Sequence, residues 1–373
     1  MAAASLTRGG RKRREPPCGT IVISSRVRLA RNMKGVRFPD WCGDDDLVPL
    51  ARFLGAACIS AGRDLGRDLD FYELDGAGDD FGGYLAESGL ISQTLLDRPS
   101  GAGVVLDSSE EAYSLGRFSA MVNEEDHLRL HCIRPGYDLD GAWKTLDAFD
   151  TALSRHVPYA FSPRLGYLTS CPSNVGTGLR ASVEVTLPAL LLLDEFDAVS
   201  RAVSRLRFNV RGENGEGSAI SSATIQISTG GTLGLSEAQA IAGLRHVVDE
   251  VVRQEALARN YVFAHREDYF LDYFSRALAI LQSAYLIATD EARSCLLAVR
   301  LGIETGYVGG TKVDAIDKLL PRIGHVSIKR MLREIRGGAD GGDGGRDGDE
   351  IDNCDAFRAS MLSDQLRKAY VRD

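Results

Sequence analysis

The stretch CPSNVGTGLRAS, Cys171 to Ser182, decides how the rest of the chain is read. A thiol, a proline, two glycines and an arginine fall within it, between Tyr167-Leu168 and an apolar run from Val183 to Leu193. Pro172, Gly176 and Gly178 disfavour a regular element, so the stretch is a shaped loop. Such a loop lets backbone N–H groups approach an anion, and Arg180 adds a fixed planar charge suited to phosphate oxygens. Taken alone it also reads as a surface turn with an incidental cysteine. The company it keeps separates the two readings.

Upstream, Ile21 to Leu29 alternates apolar and polar residues, which predicts a strand with Ser24, Arg26 and Arg28 on one face. MVNEEDHLRLHC (Met121–Cys132) falls in a strand predicted over 118–133, with Glu125, His127, Arg129 and His131 on one face and Leu128 and Leu130 on the other. Glu125 and Arg129 would then stand ~13 Å apart, one addressing substrate and the other phosphate. Downstream, RFNVRG places Arg207, Asn209 and Arg211 together, and the turn-rich GENGEG links to a strand, ATIQIST. Helices are predicted from the aspartates at 44–46, over 138–155 and 194–206, and from Ser236 onward, with strands at 103–106 and 183–187. GAGDDFGG at 76–83 reads as a mobile loop. Beyond about residue 258 the pattern turns helical, over 265–284, 289–303, 311–320 and 355–370, with Thr289 and Thr311 as N-caps. The aspartates of GGADGGDGGRDGD match no calcium-loop spacing, so the tract is a flexible link.

At 373 residues the chain predicts two domains, and 44% hydrophobic with 26% charged residues is ordinary for a globular protein. The expected division is a basic tail over 1–20, a strand-rich α+β domain with an antiparallel sheet over 21–258, and an all-α domain over 259–373 containing the flexible tract 337–349. A net charge of −8 argues against nucleic acid as the partner. Seven cysteines without a CxxC pair point to a reducing cytoplasm, not a disulfide framework. No apolar run is long enough to span a membrane, and the basic start, followed by Glu15 and two prolines, is not a secretory signal.

Five arginines (26, 28, 129, 180, 211), two carboxylates (Glu125, Glu216) and the Cys171 thiol thus mark sheet faces and loop ends. Arginine is planar, permanently charged and bidentate, and phosphoryl transfer depends on positioning and charge neutralisation. Neither a GxxxxGK[ST] motif nor a protein-kinase HRD/DFG set is present. Magnesium would be held mainly by phosphates and water, which fits the lack of an acidic metal-binding motif. The opposing readings are ordinary: solvated ion pairs for the arginines, packing for His127 and His131, a structural role for Cys171. An arginine cluster near Cys171 would favour its thiolate.

SSRVRLARN, NEEDHLRL, CPSNVGTGLRAS and RGENGEG together resemble, in order and spacing, the ATP:guanido phosphotransferases, which include arginine and creatine kinases; the likeness covers roughly 20–255. The helical domain that precedes SSRVR in phosphagen kinases has no counterpart here. With a helical C-terminal extension, the chain is most similar to the bacterial protein-arginine kinases of the McsB type. The resemblance implies that ATP is bound by Ser24, Ser25, Arg26, Val27, Arg28, Arg129, Arg180, Ala181, Ser182, Val183, Arg211, Gly212, Gly215 and Glu216. It implies that Glu125 and Glu216 hold the substrate guanidinium with Cys171 against it, and that Mg2+ accompanies ATP. Protein substrates carrying arginine, a Clp-type protease system and a homodimer are the implied partners. Four features depart from the family: Glu184 where phosphagen kinases have histidine, Ser88-Gly89 for a lysine–histidine pair, Asn214 for a bulkier residue, and a degenerate allosteric phosphoarginine motif retaining Asp355 and Arg358. A small-molecule guanidino kinase and a non-catalytic phosphoarginine-binding adaptor are the rival readings.

Overall fold

The computed structural model describes residues 20–74, 80–98, 100–108, 117–212, 223–335 and 347–372. Its strands are β1 (Val22–Arg31), β2 (Leu69–Leu74), β3 (Ala102–Asp107), β4 (Arg117–Val122), β5 (Leu128–Pro135), β6 (Phe161–Ser162), β7 (Gly166–Tyr167), β8 (Leu179–Thr186), β9 (Asn209–Gly212), β10 (Thr224–Ser228), β11 (Val308–Gly309) and β12 (Tyr370–Val371). Eight of them form one antiparallel sheet in the order β2-β3-β4-β5-β1-β8-β10-β9, while β6-β7 and β11-β12 are two-stranded ribbons. The helices are α1 (Asp44–Asp64), α2 (Asp80–Glu87), α3 (Gln93–Leu96), α4 (Leu139–Leu153), α5 (Pro188–Leu192), α6 (Phe196–Arg205), α7 (Glu237–His265), α8 (Glu267–Ser283), α9 (Thr289–Glu304), α10 (Val313–Leu319), α11 (His325–Ile335) and α12 (Asp347–Leu366).

Period-two alternation divides the sheet into two unlike faces. Val27, Leu29, Leu130, Cys132, Ala181, Val183, Ile225 and Ile227 are buried in one continuous core with residues of α1, α4 and α7. Their neighbours Ser24, Arg26, Arg28, Arg129, His131, Arg180 and Ser182 share the opposite face. The antiparallel sheet and the helical C-terminal region agree with the sequence reading.

Several expectations are corrected. The strand predicted over 118–133 is two strands joined by a tight turn. Asn123 takes φ 56° there, a conformation asparagine tolerates, and its N–H donates to His127 O at 2.9 Å. Its side-chain amide donates to Leu47 O and Gly101 O at 3.0 and 2.9 Å, so distant backbone fixes the break. Glu125 therefore lies in the turn, and its carboxylate comes 3.7 Å from Arg129 rather than a strand length away. Arg207, at φ 64°, falls outside β9. Asp80–Gly83, read as loop, begin α2, and β2 and α11 were not foreseen. Thr289 is the first residue of α9, not its cap, and Lys312 rather than Thr311 precedes α10. Ser236 does cap α7, with Gln239 completing a capping box. That helix runs unbroken through the boundary drawn at 258. The basic tail to residue 19, the loop at 75–79 and residues 337–346 lie outside the described residues, and the rest of the flexible tract, 347–349, starts α12.

Candidate active site

Register brings the arginines together. Arg28 stands opposite His131 on β5 and Arg180 on β8; Arg26 stands opposite Ser182; Arg129 enters from β5 opposite Ala30. Arg211 joins from β9, opposite Gln226 of β10, which itself pairs with Glu184. Cross-strand neighbours of this kind lie ~5 Å apart at Cβ. Burial is the first cause that lowers the Arg26 guanidinium to about 10, with Arg129 next. Burial, then Arg26, Arg129 and Arg180, hold Arg28 well below its usual value, and burial, Arg211 and Arg129 lower Arg180. Positive charge crowded on a partly buried face is complementary to a polyphosphate, which would satisfy several guanidinium forks at once.

Two supporting residues were missed by sequence reasoning. Glu124 is 1% exposed and forms the ion pair that orients Arg129. It also accepts from Ser92 Oγ at 2.5 Å and from the Glu125 N–H at 3.2 Å. His131, read as a packing residue, accepts from Arg26 Nε at 2.5 Å through its Nε2, so it must be neutral there. Burial first, then Arg26 and Arg28, depress its pKa well below the usual value and keep it so. Gly89 O receives the other end of Arg26, at 3.1 Å. A lone acid or histidine in sequence carries no sign of such a partner; only the register does.

The opening loop is built from below. Buried Arg31 pairs with Asp150 at 2.7 Å, lies 3.5 Å over the Tyr167 ring and donates to Thr177 O at 2.9 Å. Asp126, in the β4–β5 turn, accepts from Asn32 Nδ2 at 2.6 Å and from the Ser170 N–H at 2.7 Å. Thr232 Oγ1 contacts Ser173 O and Val175 O at 3.1 and 2.6 Å. Gly178 needs to be glycine, since its φ is 65° and a Cβ would come 2.6 Å from Ala30 O. Cys171 is half-buried, with Sγ 3.0 Å from Ser173 Oγ. Beside this loop lies a cleft of about 620 Å³, lined by Ser173, Asn174, Arg180, Arg207, Arg211 and Thr232 among others.

Glu125 stands where the turn meets the arginine face. Loss of water around it, more than any neighbour, raises its carboxyl pKa; Arg129 opposes the shift, while Glu124 and Asp126 add to it. Of the other expected site residues, Ser24 lies on the arginine face, and buried Ser182 Oγ has no protein partner among the described residues. Gly212 ends β9 at the exposed sheet edge. Period two turns the side chains of Ser25, Val27, Ala181 and Val183 to the helix side, where Ser25 Oγ donates to Gly136 O at 2.8 Å, so only their backbone faces the arginine side. Gly215 and Glu216, with Asn214, lie outside the described residues.

The departures also have places. Ser88 O and Gly89 O accept from Arg117 and Arg26, so that segment holds arginines through its backbone. Arg358 is 1% exposed; it donates to Ile323 O, Ile287 O and Asp355 Oδ1, each at 2.5 Å. The expected allosteric pair Asp355–Arg358 is thus a buried tie between α12 and two turns, its guanidinium already committed. Glu184 accepts from Ser24 Oγ at 2.9 Å and pairs with Arg293 of α9.

Residues 59–258 match the family model for the ATP:guanido phosphotransferase C-terminal catalytic domain, and residues 267–336 match the protein-arginine kinase McsB C-terminal domain. A protein-arginine kinase of Halothermothrix orenii is 36% identical over 83% of this chain and 86% of its own length. One of Bacillus pumilus is 34% identical over 96% of this chain and 93% of its own. Among solved structures, a lombricine kinase superposes with a TM-score of 0.53 at 26% identity, over 63% of this chain and 66% of that one. The duplicated taurocyamine kinase of Schistosoma mansoni gives 0.56 at 25% identity, over 72% and 38%. The chain belongs to the ATP:guanido phosphotransferase family and, within it, to the protein-arginine kinases with a McsB-type C-terminal domain.

Proposed function

We propose that the protein transfers the γ-phosphoryl group of ATP to arginine side chains of other proteins. The observation that carries this reading is a half-buried carboxylate, Glu125, its pKa raised chiefly by partial loss of water, paired at 3.7 Å with Arg129 at the margin of a five-arginine face. The arginines hold the triphosphate and neutralise the group in transit. A guanidinium with a pKa above about 12 is not a nucleophile until it loses a proton. Glu125 orients the guanidinium, and as the N–P bond forms and the bond to the β-phosphate oxygen breaks, it takes the displaced proton while ADP leaves. Glu216 is the second carboxylate on the guanidinium and Cys171 lies against it. Glu124 is committed to Arg129 and Ser92, and Asp126 spends its Oδ1 on Asn32 and Ser170; magnesium would arrive on the phosphates and supply further charge neutralisation. We further infer a cytoplasmic homodimer whose products are marked for a Clp-type protease. No helix among the described residues is long and apolar enough to cross a membrane.

The test is incubation with ATP and either free arginine or an unfolded arginine-bearing protein, followed by phosphoarginine mass spectrometry under non-acidic handling. Acid-labile phosphate on protein arginine is expected. Phosphate on free arginine alone, or none on either, overturns the reading.

A further inference from the structure

Glu184 is an acid on a face otherwise suited to an anion. It stands on β8 opposite Ser24 and Gln226, with its side chain only 14% exposed, and its charge is felt at Arg26. One carboxylate oxygen accepts from Ser24 Oγ, and the other is paired with Arg293, near the start of α9. The far end of α9 is fastened to the same part of the sheet. Glu304 accepts from the Thr20 N–H at 2.6 Å and from its hydroxyl at 2.8 Å, just ahead of β1. A helix of the C-terminal region therefore holds the segment leading into β1 at one end and β8 at the other.

We propose that Arg293 is a positioning residue for nucleotide binding: it cancels the charge of Glu184 and holds that carboxylate away from the phosphate arginines. This rests on the reading of the arginine face as an ATP site. Without Arg293, Glu184 presents a bare negative charge to the polyphosphate and can turn to Arg26 instead, drawing that side chain from His131 and Gly89. Either effect weakens ATP binding. Glu184 lies four residues along β8 from Arg180, ~13 Å, so the acceptor end beside Cys171 is spared. The C-terminal helices thereby set nucleotide affinity without touching the nucleotide.

The experiment uses the full chain and measures Mg-ATP binding by calorimetry together with steady-state turnover. R293A should raise the Kd and KM for ATP about tenfold while kcat stays within about twofold, and the defect should shrink as salt is raised. E184Q should tighten ATP binding about threefold. The decisive variant is R293A/E184Q, in which removal of the stranded charge should restore ATP affinity to within about twofold of wild type. R293M keeps the aliphatic stem and carries the same expectation if R293A lowers the melting temperature. A double variant as weak as R293A, an R293A defect indifferent to salt, or a loss confined to kcat overturns the proposal. Wild-type ATP binding with no change in R293A sinks this inference alone, whereas a wild type that binds no ATP sinks the functional reading as well.

Discussion

Glu124 and Glu125 are adjacent acids with opposite duties, and replacing each by glutamine separates them. Glu124 is 1% exposed and forms the main ion pair of Arg129, whose side chain is 17% exposed. Glu124→Gln keeps the volume but leaves a mostly buried guanidinium beside Arg26 and Arg28 with a single, longer contact to Glu125. Removing one partner of a buried pair costs about 3–5 kcal/mol, and the residual exposure with the retained amide oxygen brings this to about 2–3 kcal/mol. At ~2 °C per kcal/mol for a large domain, the melting temperature should fall about 5 °C. Turnover should fall about a hundredfold, because Arg129 loses its aim and swings toward Glu125. Glu125→Gln removes a carboxylate whose ionised form is penalised by desolvation in the fold, so the melting temperature should hold or rise. Its turnover should drop about a hundredfold through loss of the proton acceptor. Differential scanning fluorimetry and phosphoarginine formation measure both. A Glu124→Gln protein that melts and turns over like wild type would refute the anchoring role, and equal destabilisation by the two substitutions would refute the division of labour.

Further outcomes follow from the same geometry. The acid limb of kcat/KM should lie above the ordinary carboxylate pKa of about 4.3, since Glu125 is raised; activity is present above that pKa and lost as pH falls through it, and Glu125→Gln should abolish the limb. Gly178→Ala must adopt φ 65° with its Cβ 2.6 Å from Ala30 O, and should cost about 2–3 kcal/mol and most of the turnover, read by melting and by initial rates.

Alternation along β1 was enough to put Arg26 and Arg28 on one face, and the sheet confirms that parity because side-chain direction in a strand depends on sequence position alone. The same rule failed at 118–133. There the predicted strand runs on through the polar residues Asn123 to His127, but three hydrogen bonds to residues as distant as Leu47 turn the chain back at Asn123. That break moves Glu125 from a strand face to a turn and brings it beside Arg129.

The residue types of the site, the glycines of the loop after Cys171 and the helical character of the C-terminal region were all determined by local sequence, since charge, φ preference and periodicity are properties of a few neighbouring residues. Pairings across the chain were not. Glu124 with Arg129, Arg26 with His131, Arg31 with Asp150 and Glu184 with Arg293 were decided by strand order and helix docking. So was the fate of Arg358, whose guanidinium is spent on the carbonyls of Ile287 and Ile323. A side chain's partner depends on which distant backbone is brought within about 3 Å of it, and that is set only when the whole core closes.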